Sequence, residues 1–354
     1  MKDHNVKIQT IAVPIIAIMV VTLFFYYAEP ILVPVVIGIT LAFILNPAVK
    51  LLRRASLPHV LSVLIVVFFA LIIFLSLAAL IAAQTGELVS KLPGYWAGFK
   101  VQLSNLLERF PSLAQHLPGA LSDESTGLLD NVEWNDLASV SKFLFAGLGS
   151  AFALLWKMIL ILLITTFVLI EQDGFKRKLA YIFGKEQSGT ASAIVNQISS
   201  NISGFLSVRF MTTAGLGVVV TIVLLIMGVP YAYVWGPLAG LLNLIPYIGA
   251  ILGAIPPMIV ASIENQSMWW LLYIGIFFFI LQFLEGNIMT PKLVGNRINL
   301  NLTSVLISTL YWGWLWGGVG VILAMPITAT IKVICDHIEP LRPIGSLLDG
   351  DSGG

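Results

Sequence analysis

The chain has 354 residues, of which 58% are hydrophobic and 10% are charged, and its formal net charge is +1. A soluble domain carries about 25% charged residues, so this composition indicates a membrane protein. The near-neutral balance excludes a nucleic-acid partner, because there is no surplus of basic residues to neutralise phosphates.

Motifs of catalysis and cofactor binding are missing from the sequence. Cys335 is the single cysteine, which excludes an intramolecular disulfide and a cysteine-based zinc cluster. The four histidines lie far apart along the chain. No phosphate-binding loop, dinucleotide fingerprint or metalloprotease motif occurs. We therefore expect no enzymatic activity, no catalytic residue, no metal and no cofactor.

The N-terminal region, residues 1–83, is predicted to hold three membrane spans. Its apolar runs cover residues 11–28, 31–49 and 60–83, and about 20 residues of helix cross a bilayer. Basic residues precede the first run and follow the second, at Lys7 and at Arg53-Arg54. The positive-inside rule therefore places the N-terminus in the cytoplasm and directs the third span outward.

The next two segments are more polar. Residues 84–142 carry seven acidic against four basic residues, and apolar residues recur at intervals of three and four near the start of this segment. This pattern predicts a small extracytoplasmic insertion built on an amphipathic helix. Residues 143–209 are predicted to form a fourth span and then a cytoplasmic interfacial helix, because basic residues follow the span.

The predicted transport core, residues 210–335, contains two interrupted apolar runs. Residues 230–262 and 298–331 hold 33 and 34 residues without a charge. A helix of that length would measure about 50 Å, against a hydrocarbon core of about 30 Å. Since proline removes a helix donor and glycine loosens the backbone, both runs are predicted to be helix–break–helix hairpins. The first run is interrupted in its middle by Asn243, Pro246 and Gly249 and later by the predicted break residues Gly253, Pro256 and Pro257. The predicted break residues of the second run are Gly317, Gly318, Gly320 and Pro326.

Charges near the hairpins predict opposite orientations for them. If the first enters from outside and the second from inside, Lys292, Arg297 and Lys332 all lie on the cytoplasmic side. Residues 210–263 and 268–333 then form an inverted repeat, which favours alternating access. The predicted fold class is an all-α polytopic membrane protein with about six full spans, two re-entrant hairpins and a cytoplasmic tail at residues 336–354.

Several short motifs accompany the hairpins. They are GVP at 228–230, NLIPYIG at 243–249, IPP at 255–257, EGN at 285–287, PKLVG at 291–295, and GGVG at 317–320 followed by Met325-Pro326. Over nearly the whole chain, these motifs and the order of spans resemble the autoinducer-2 exporter family of bacterial permeases. One departure concerns Leu300, which is followed by Asn301-Leu302 where the family has a proline two residues after a leucine. The resemblance therefore does not define the geometry at the start of the second hairpin.

The resemblance implies a secondary transporter in the bacterial inner membrane, with both termini in the cytoplasm. Members of the family are assigned export of autoinducer-2, and others sodium–proton exchange, so either activity is open here. The implied partners are membrane lipid, a small polar solute together with a proton or sodium ion, and further copies of the chain, since related proteins form pentamers. The alternatives from other classes are a channel-like pore and a non-transporting membrane scaffold.

The candidate solute-binding or ion-binding residues lie in the first hairpin, at the end of the span that follows it, and just beyond that span. Asn243 directly precedes the first break, where its amide could bind a solute or satisfy backbone groups freed by Pro246. Gln282 and Glu285 share a helix face, and Glu285 could bind a cation or proton or be a solvated helix-end carboxylate. The rest of the set is Pro246, Gly249, Asn287 and Arg297, of which Arg297 could equally be a positive-inside anchor. The tryptophans beside the second break suit an aromatic lining or an interfacial belt: Trp312, Trp314 and Trp316.

Overall fold

The structure is a computed structural model that describes residues 19–109, 151–183, 188–245, 248–289 and 300–350, together with Val13, Ile16, Ala17 and Lys292. These residues are almost entirely helical, and the β-structure among them is one isolated bridge between Leu300 and Asp349. The predicted all-α class is therefore confirmed. Residues 110–142 of the predicted insertion, as well as Pro246 and Arg297, lie outside the described residues.

The helices of the described chain are numbered in order, after a helical stretch at residues 19–27. They are α1 (Glu29–Arg54), α2 (His59–Arg109), α3 (Ala151–Phe183), α4 (Ser188–Ile226), α5 (Ala232–Leu242), α6 (Ile248–Glu264), α7 (Trp269–Leu284), α8 (Leu302–His337) and α9 (Arg342–Leu347). A π-helical turn, Glu285–Met289, follows α7, and a 3-10 turn, Glu339–Leu341, precedes α9.

Six helical segments of the described chain are long and apolar enough to cross a membrane: Glu29–Arg54, His59–Asn105, Trp156–Phe175, Val195–Ile226, Trp269–Met289 and Leu302–His337. Large apolar side chains on several of them are exposed, among them Ile73 at 66%, Phe167 at 56% and Phe279 at 72%. Such surfaces suit a lipid environment. The polytopic membrane architecture predicted from composition is confirmed.

Two of the helix boundaries predicted from the sequence fall inside continuous helices. The third predicted span and the amphipathic helix after it are one helix, α2, of 51 residues. The predicted interfacial helix and the fifth span are likewise one helix, α4, of 39 residues. In both places the sequence changes in polarity, but polarity alone does not interrupt the hydrogen bonds of a helix. The change in polarity indicates that the two ends of each helix have different surroundings, not that the helix ends there.

Contacts divide the chain into two compact units. The terminal unit consists of Met1–Phe68, Lys157–Phe210 and Val294–Gly354, and the central unit consists of Phe69–Trp156 and Met211–Leu293. Helices α2 and α4 each contribute one end to either unit. The predicted first hairpin belongs to the central unit, and the predicted second hairpin belongs to the terminal unit.

In the terminal unit, α1 packs closely against α3 at a glycine. A Cβ on Gly38 would lie 2.9 Å from the Cβ of Ile164, and the Thr165 hydroxyl donates to the Gly38 carbonyl at 3.1 Å. Ser203 of α4 donates in the same way to the Phe43 carbonyl at 2.8 Å. Small residues and hydroxyl-to-carbonyl bonds are the means by which helices associate in lipid, where apolar burial gives little gain.

Helix α8 is a hairpin rather than a straight rod, and we call it hairpin 2. Its backbone leaves the helical region at Trp316 and at Gly317, where φ is 60° and ψ is −144°. The Ser308 hydroxyl contacts that of Thr328 at 2.5 Å, although 20 residues of straight helix would separate them by about 30 Å. Residues 302–315 and 318–337 are therefore two antiparallel arms, and the left-handed φ at the turn favours glycine.

Aromatic residues hold the turn of hairpin 2 in the terminal unit. The rings of Trp312 and Trp316 both contact Phe25, at centroid distances of 5.6 and 6.1 Å. The Trp316 indole N–H also donates to the Phe25 carbonyl at 3.0 Å. Both tryptophans are buried in this cluster, whereas Trp314 is 69% exposed. Only Trp314 is thus placed as an interfacial residue would be, and the other two are packing residues.

In the central unit, α5 and α6 fold back on each other, and we call them hairpin 1. A Cβ on Gly253 of α6 would lie 3.1 Å from the Cα of Ala239 on α5. A second face of α5 meets α4, where a Cβ on Gly240 would lie 3.2 Å from the Cα of Gly217. Gly236, one turn earlier, lies against Thr221 and the Gly217 carbonyl of α4. Hairpin 1 is therefore packed through glycine on both faces of its first arm.

Gly236→Ala tests this packing, because the added methyl would overlap Thr221 and the Gly217 carbonyl. We expect a loss of about 1–3 kcal/mol, typical of overpacking a tight interface. Gly215→Ala is the matched control, since a Cβ there meets no atom within 4 Å and alanine favours helix over glycine by about 1 kcal/mol. Thermal unfolding in detergent, followed by circular dichroism, should rank Gly236→Ala below wild type and Gly215→Ala at or above it. Equal melting temperatures for the two variants would contradict the packing described.

Candidate functional site

The turn of hairpin 1 begins at Asn243, directly after α5. The Asn243 backbone N–H donates to the carbonyls of Ala239 and Gly240 at 2.9 and 3.1 Å, so it ends the helix. Its side chain is 3% exposed. On the other side of the turn, Gly249 lies directly against the carbonyl of Leu242, where a Cβ would overlap. The turn thus closes tightly on a glycine and buries one amide side chain.

The break lies only in this turn, which differs from the wider break predicted from sequence. Gly253, Pro256 and Pro257 are all inside α6. Proline lacks an N–H, so the carbonyls four residues before each of these two prolines lose their usual helical donor. The prolines therefore free backbone acceptors within a helix that does not stop there.

Glu285 is a carboxylate buried at the end of α7. It is 3% exposed and begins the π-helical turn Glu285–Met289. Single π-helical turns inside or after α-helices occur frequently at functional sites. An ionisable side chain buried within a membrane protein is costly and is retained mainly for function.

Asn243, Gln282 and Glu285 come together as one polar cluster in the central unit. The Asn243 amide donates to Glu285 Oε1 at 3.2 Å, and the Gln282 amide donates to Glu285 Oε2 at 3.2 Å. Each carboxylate oxygen therefore accepts a bond from a different element, one from hairpin 1 and one from α7. Gln282 and Glu285 were predicted from sequence to share a helix face, and the fold adds Asn243 as their neighbour.

The chemistry of this cluster suits a proton or a monovalent cation. Its donor set is one carboxylate and two amides, without histidine or cysteine, and such oxygen ligands do not favour transition metals. A small cavity adjoins it, with room for about one water molecule. The lining mixes apolar side chains with two of the cluster's amides: Leu216, Ala239, Asn243, Ala250, Phe278, Leu281 and Gln282.

The remaining predicted site residues are placed apart from the cluster. Asn287 is exposed, and its amide donates to the Phe283 carbonyl one turn back at 3.0 Å. In hairpin 2, Gly317 forms the turn, a Cβ on Gly318 would meet no atom within 4 Å, and Pro326 lies inside the second arm. Pro246 and Arg297 are outside the described residues.

The two hairpins share one packing contact at their turns. Gly320 of hairpin 2 lies against the carbonyl of Trp312, as Gly249 of hairpin 1 lies against that of Leu242. In each case a glycine in the second arm occupies the space over a carbonyl near the end of the first arm. If residues 210–263 and 268–333 form an inverted repeat, as predicted, their two turns should share such a contact.

Sequence reasoning missed a second polar arrangement, at the open end of hairpin 1. The Tyr231 hydroxyl donates to Glu87 at 3.3 Å, and the Tyr95 hydroxyl donates to Glu264 at 2.5 Å. Both arms of hairpin 1 are therefore bonded to α2. Glu87 and Tyr95 stand two helical turns apart on one face of α2, and that spacing was the signal available in the sequence.

An all-helical polytopic chain with a buried carboxylate beside a broken helical hairpin falls in the class of membrane transport proteins. Comparison with known proteins narrows this class. The chain belongs to the AI-2E transporter family, whose model, described as AI-2E family transporter, matches residues 15–339.

Named relatives of the chain come from several bacteria. "Putative transport protein YhhT" of Escherichia coli (strain K12) is 29% identical over 306 residues, which cover 86% of this chain and 84% of the relative. A "Putative transport protein" of Haemophilus influenzae is 29% identical over 339 residues, covering 94% and 93%. "AI-2 transport protein TqsA" of Escherichia coli (strain K12) is 28% identical over 322 residues, covering 91% and 90%.

Gly249→Leu tests the tight turn of hairpin 1. Any side chain at Gly249 would overlap the Leu242 carbonyl, while leucine favours the helix that begins there. We expect a protein that inserts and stays helical but has lost at least about 90% of its transport, because the turn must open by more than a bond length. Flux into proteoliposomes at equal protein content measures this loss. Gly215→Leu, at a position with open space, should transport as wild type does, and normal transport by Gly249→Leu would contradict a role for the turn.

Proposed function

We propose that this chain is a secondary transporter that exports a small polar solute, such as autoinducer-2, by alternating access. The observation that carries the proposal is the buried Glu285 carboxylate, bonded at once to hairpin 1 and to α7. The family supports transport in general, and a relative named as an AI-2 transport protein supports this solute. Identity of 28% leaves the solute to experiment.

In the proposed mechanism, occupancy of Glu285 controls the turn of hairpin 1. A carboxylate without a bound cation or proton accepts bonds from the Asn243 and Gln282 amides and so ties the turn to α7. A proton or cation on that carboxylate competes with the two N–H donors, which weakens the tie. The turn is then free to move, and the freed backbone acceptors of α6 can meet the solute. Binding at one site thereby biases a two-state element.

Sodium–proton exchange is the second candidate function. A single buried carboxylate that binds either a proton or a sodium ion, never both, is sufficient for exchange by alternating access. The amide oxygens of Asn243 and Gln282 could turn toward a bound sodium ion, because an amide offers both a donor and an acceptor. The same three residues thus serve either activity, and the transported species distinguishes the two.

Flux in proteoliposomes separates these functions from a pore and from a scaffold. Vesicles loaded with autoinducer-2 are followed for its release, with and without an imposed proton gradient. Parallel vesicles with an entrapped pH dye receive a sodium pulse. Gradient-dependent release indicates an exporter, and sodium-driven proton movement indicates an antiporter. Release that ignores every gradient and shows no counterflow indicates a pore, and no flux of either kind would indicate a scaffold.

The topology we propose follows from the basic residues. Both termini are cytoplasmic, the polar part of α2 is outside, and the two hairpins are re-entrant in opposite senses. The exposed Lys91 and Lys292 lie in segments to which this topology gives opposite sides. The matched glycines at the two turns support an inverted repeat.

Single cysteines at Lys91 and Lys292, each in a Cys335→Ser background, test the topology in whole cells. A membrane-impermeant maleimide should label Lys91→Cys from outside, because the segment 84–142 carries more acidic than basic residues. It should label Lys292→Cys only after the cells are opened, because Lys292 lies in a basic segment on the cytoplasmic side of the proposed topology. Labelling of Lys292→Cys in intact cells would refute the hairpin arrangement.

Glu285→Gln keeps the shape of the side chain and removes its charge. We expect ion-coupled flux to fall at least about tenfold, because the group that binds the proton or cation is gone, while the amount of protein in the membrane stays within about twofold. Glu171→Gln, a change of the same kind at an exposed residue, is the control and should transport normally. If Glu285→Gln retains wild-type flux with the same ion dependence, Glu285 is a packing residue.

A further inference from the structure

The segment after α9 lies against the beginning of hairpin 2. The Asn301 backbone N–H donates to the Leu348 carbonyl at 3.0 Å, and its side-chain amide donates to the Leu347 carbonyl at 2.7 Å. The Asn301 side-chain oxygen also caps the first arm by accepting the Ser304 N–H at 2.6 Å. The Asn301 side chain therefore both caps the first arm and binds the segment around Leu347 and Leu348.

The same segment reaches the second arm through a buried lysine. Lys332 is 4% exposed, and its ammonium lies 2.9 Å from Asp336 and 3.4 Å from Asp349. Asp336 belongs to the same arm, one turn on, but Asp349 comes from the segment after α9. The sequence predicted Lys332 as a charge beyond the end of hairpin 2, whereas the second arm continues to His337 and encloses it. A buried ammonium requires carboxylate partners, and Asp349 supplies one from outside the arm.

Helix α9 also packs directly on the second arm. Gly345 lies against Asp336, and a Cβ on Gly345 would be 3.4 Å from the carbonyl carbon of Cys335. A larger residue there would displace the Asp336 side chain and press on the backbone of the second arm. Cys335, the single cysteine of the chain, is 5% exposed, and its backbone forms part of this contact.

We propose that residues 342–350 are a clasp that closes the open end of hairpin 2 by joining Asn301 of its first arm to Lys332 of its second. The clasp fixes the spacing of the two arms and keeps water from the face of the second arm that holds Lys332 and Cys335. When it opens, the space between the arms becomes accessible at that end. The clasp is therefore a gate in the terminal unit, additional to the ion-binding site proposed in the central unit. The proposal of the clasp does not depend on which species is transported.

Labelling of Cys335 tests the clasp, because the native chain carries no other thiol. Asp349→Asn removes the ionic link, and we expect a membrane-permeant maleimide to label Cys335 about tenfold faster than in wild type, since labelling follows the open population when reclosure is rapid. Asp349→Glu restores the link and should return the rate to near wild type. Asp173→Asn, which removes an exposed pair with Arg53, should leave the rate unchanged.

Gly345→Leu opens the clasp by a different means, as a wedge against Asp336. It should accelerate labelling as Asp349→Asn does, while Gly174→Leu, where a Cβ meets no atom within 4 Å, should not. Rates are divided by the total labelling after denaturation in detergent, so a poorly produced variant is still informative. Acceleration in both clasp variants, absent from both controls, supports the proposal. A wild-type rate in both Asp349→Asn and Gly345→Leu overturns it.

Discussion

A helical chain that reverses direction in a short turn must bring two backbones into close contact, and a side chain at the point of contact would keep them apart. In both hairpins this contact is made by a glycine that lies against a carbonyl of the preceding arm: Gly249 on Leu242, and Gly320 on Trp312. The remaining features depend on these turns. Asn243 reaches Glu285 because the first turn holds it there, and the aromatic cluster around Trp316 forms because the second turn presents it.

The two turns are supported in different ways, and the difference bears on which of them moves. The turn of hairpin 2 is enclosed by aromatic rings and by the hydrogen bond from Trp316 to the Phe25 carbonyl. The other end of hairpin 2 is bonded to the last residues that the structure describes. The turn of hairpin 1 is bonded through Asn243 to a carboxylate, whose strength as an acceptor changes when a proton or cation binds. Aromatic packing has no comparable chemical control. We therefore infer that the turn of hairpin 1 responds to ion binding, whereas the turn of hairpin 2 stays fixed even when the clasp at its other end opens.

Much of this arrangement could be predicted from sequence. The composition and the charge-free runs predict the all-helical membrane class. Asn243, Gln282 and Glu285 could be predicted as site residues because they are polar side chains at the interruptions and ends of apolar segments. Their grouping could not be predicted, because it depends on how far hairpin 1 folds back toward α7. Gly253, Pro256 and Pro257 were misplaced as breaks since proline in a packed membrane helix can be compensated by neighbours. The GxxxG spacing of Gly236 and Gly240 was a readable signal of close helix packing that the apolar runs obscured.

The terminal unit combines segments that the ribosome makes at widely separated times. Phe25 meets Trp316 across 291 residues of sequence, and Asn301 is held by residues near the end of the described chain. The central unit draws on Phe69–Trp156 and Met211–Leu293, so its residues are all made before hairpin 2. Contacts between distant segments form late. Biogenesis is therefore ordered: hairpin 1 can pack during synthesis, while the helical residues around Phe25 reach their packing partners only after hairpin 2 has been made.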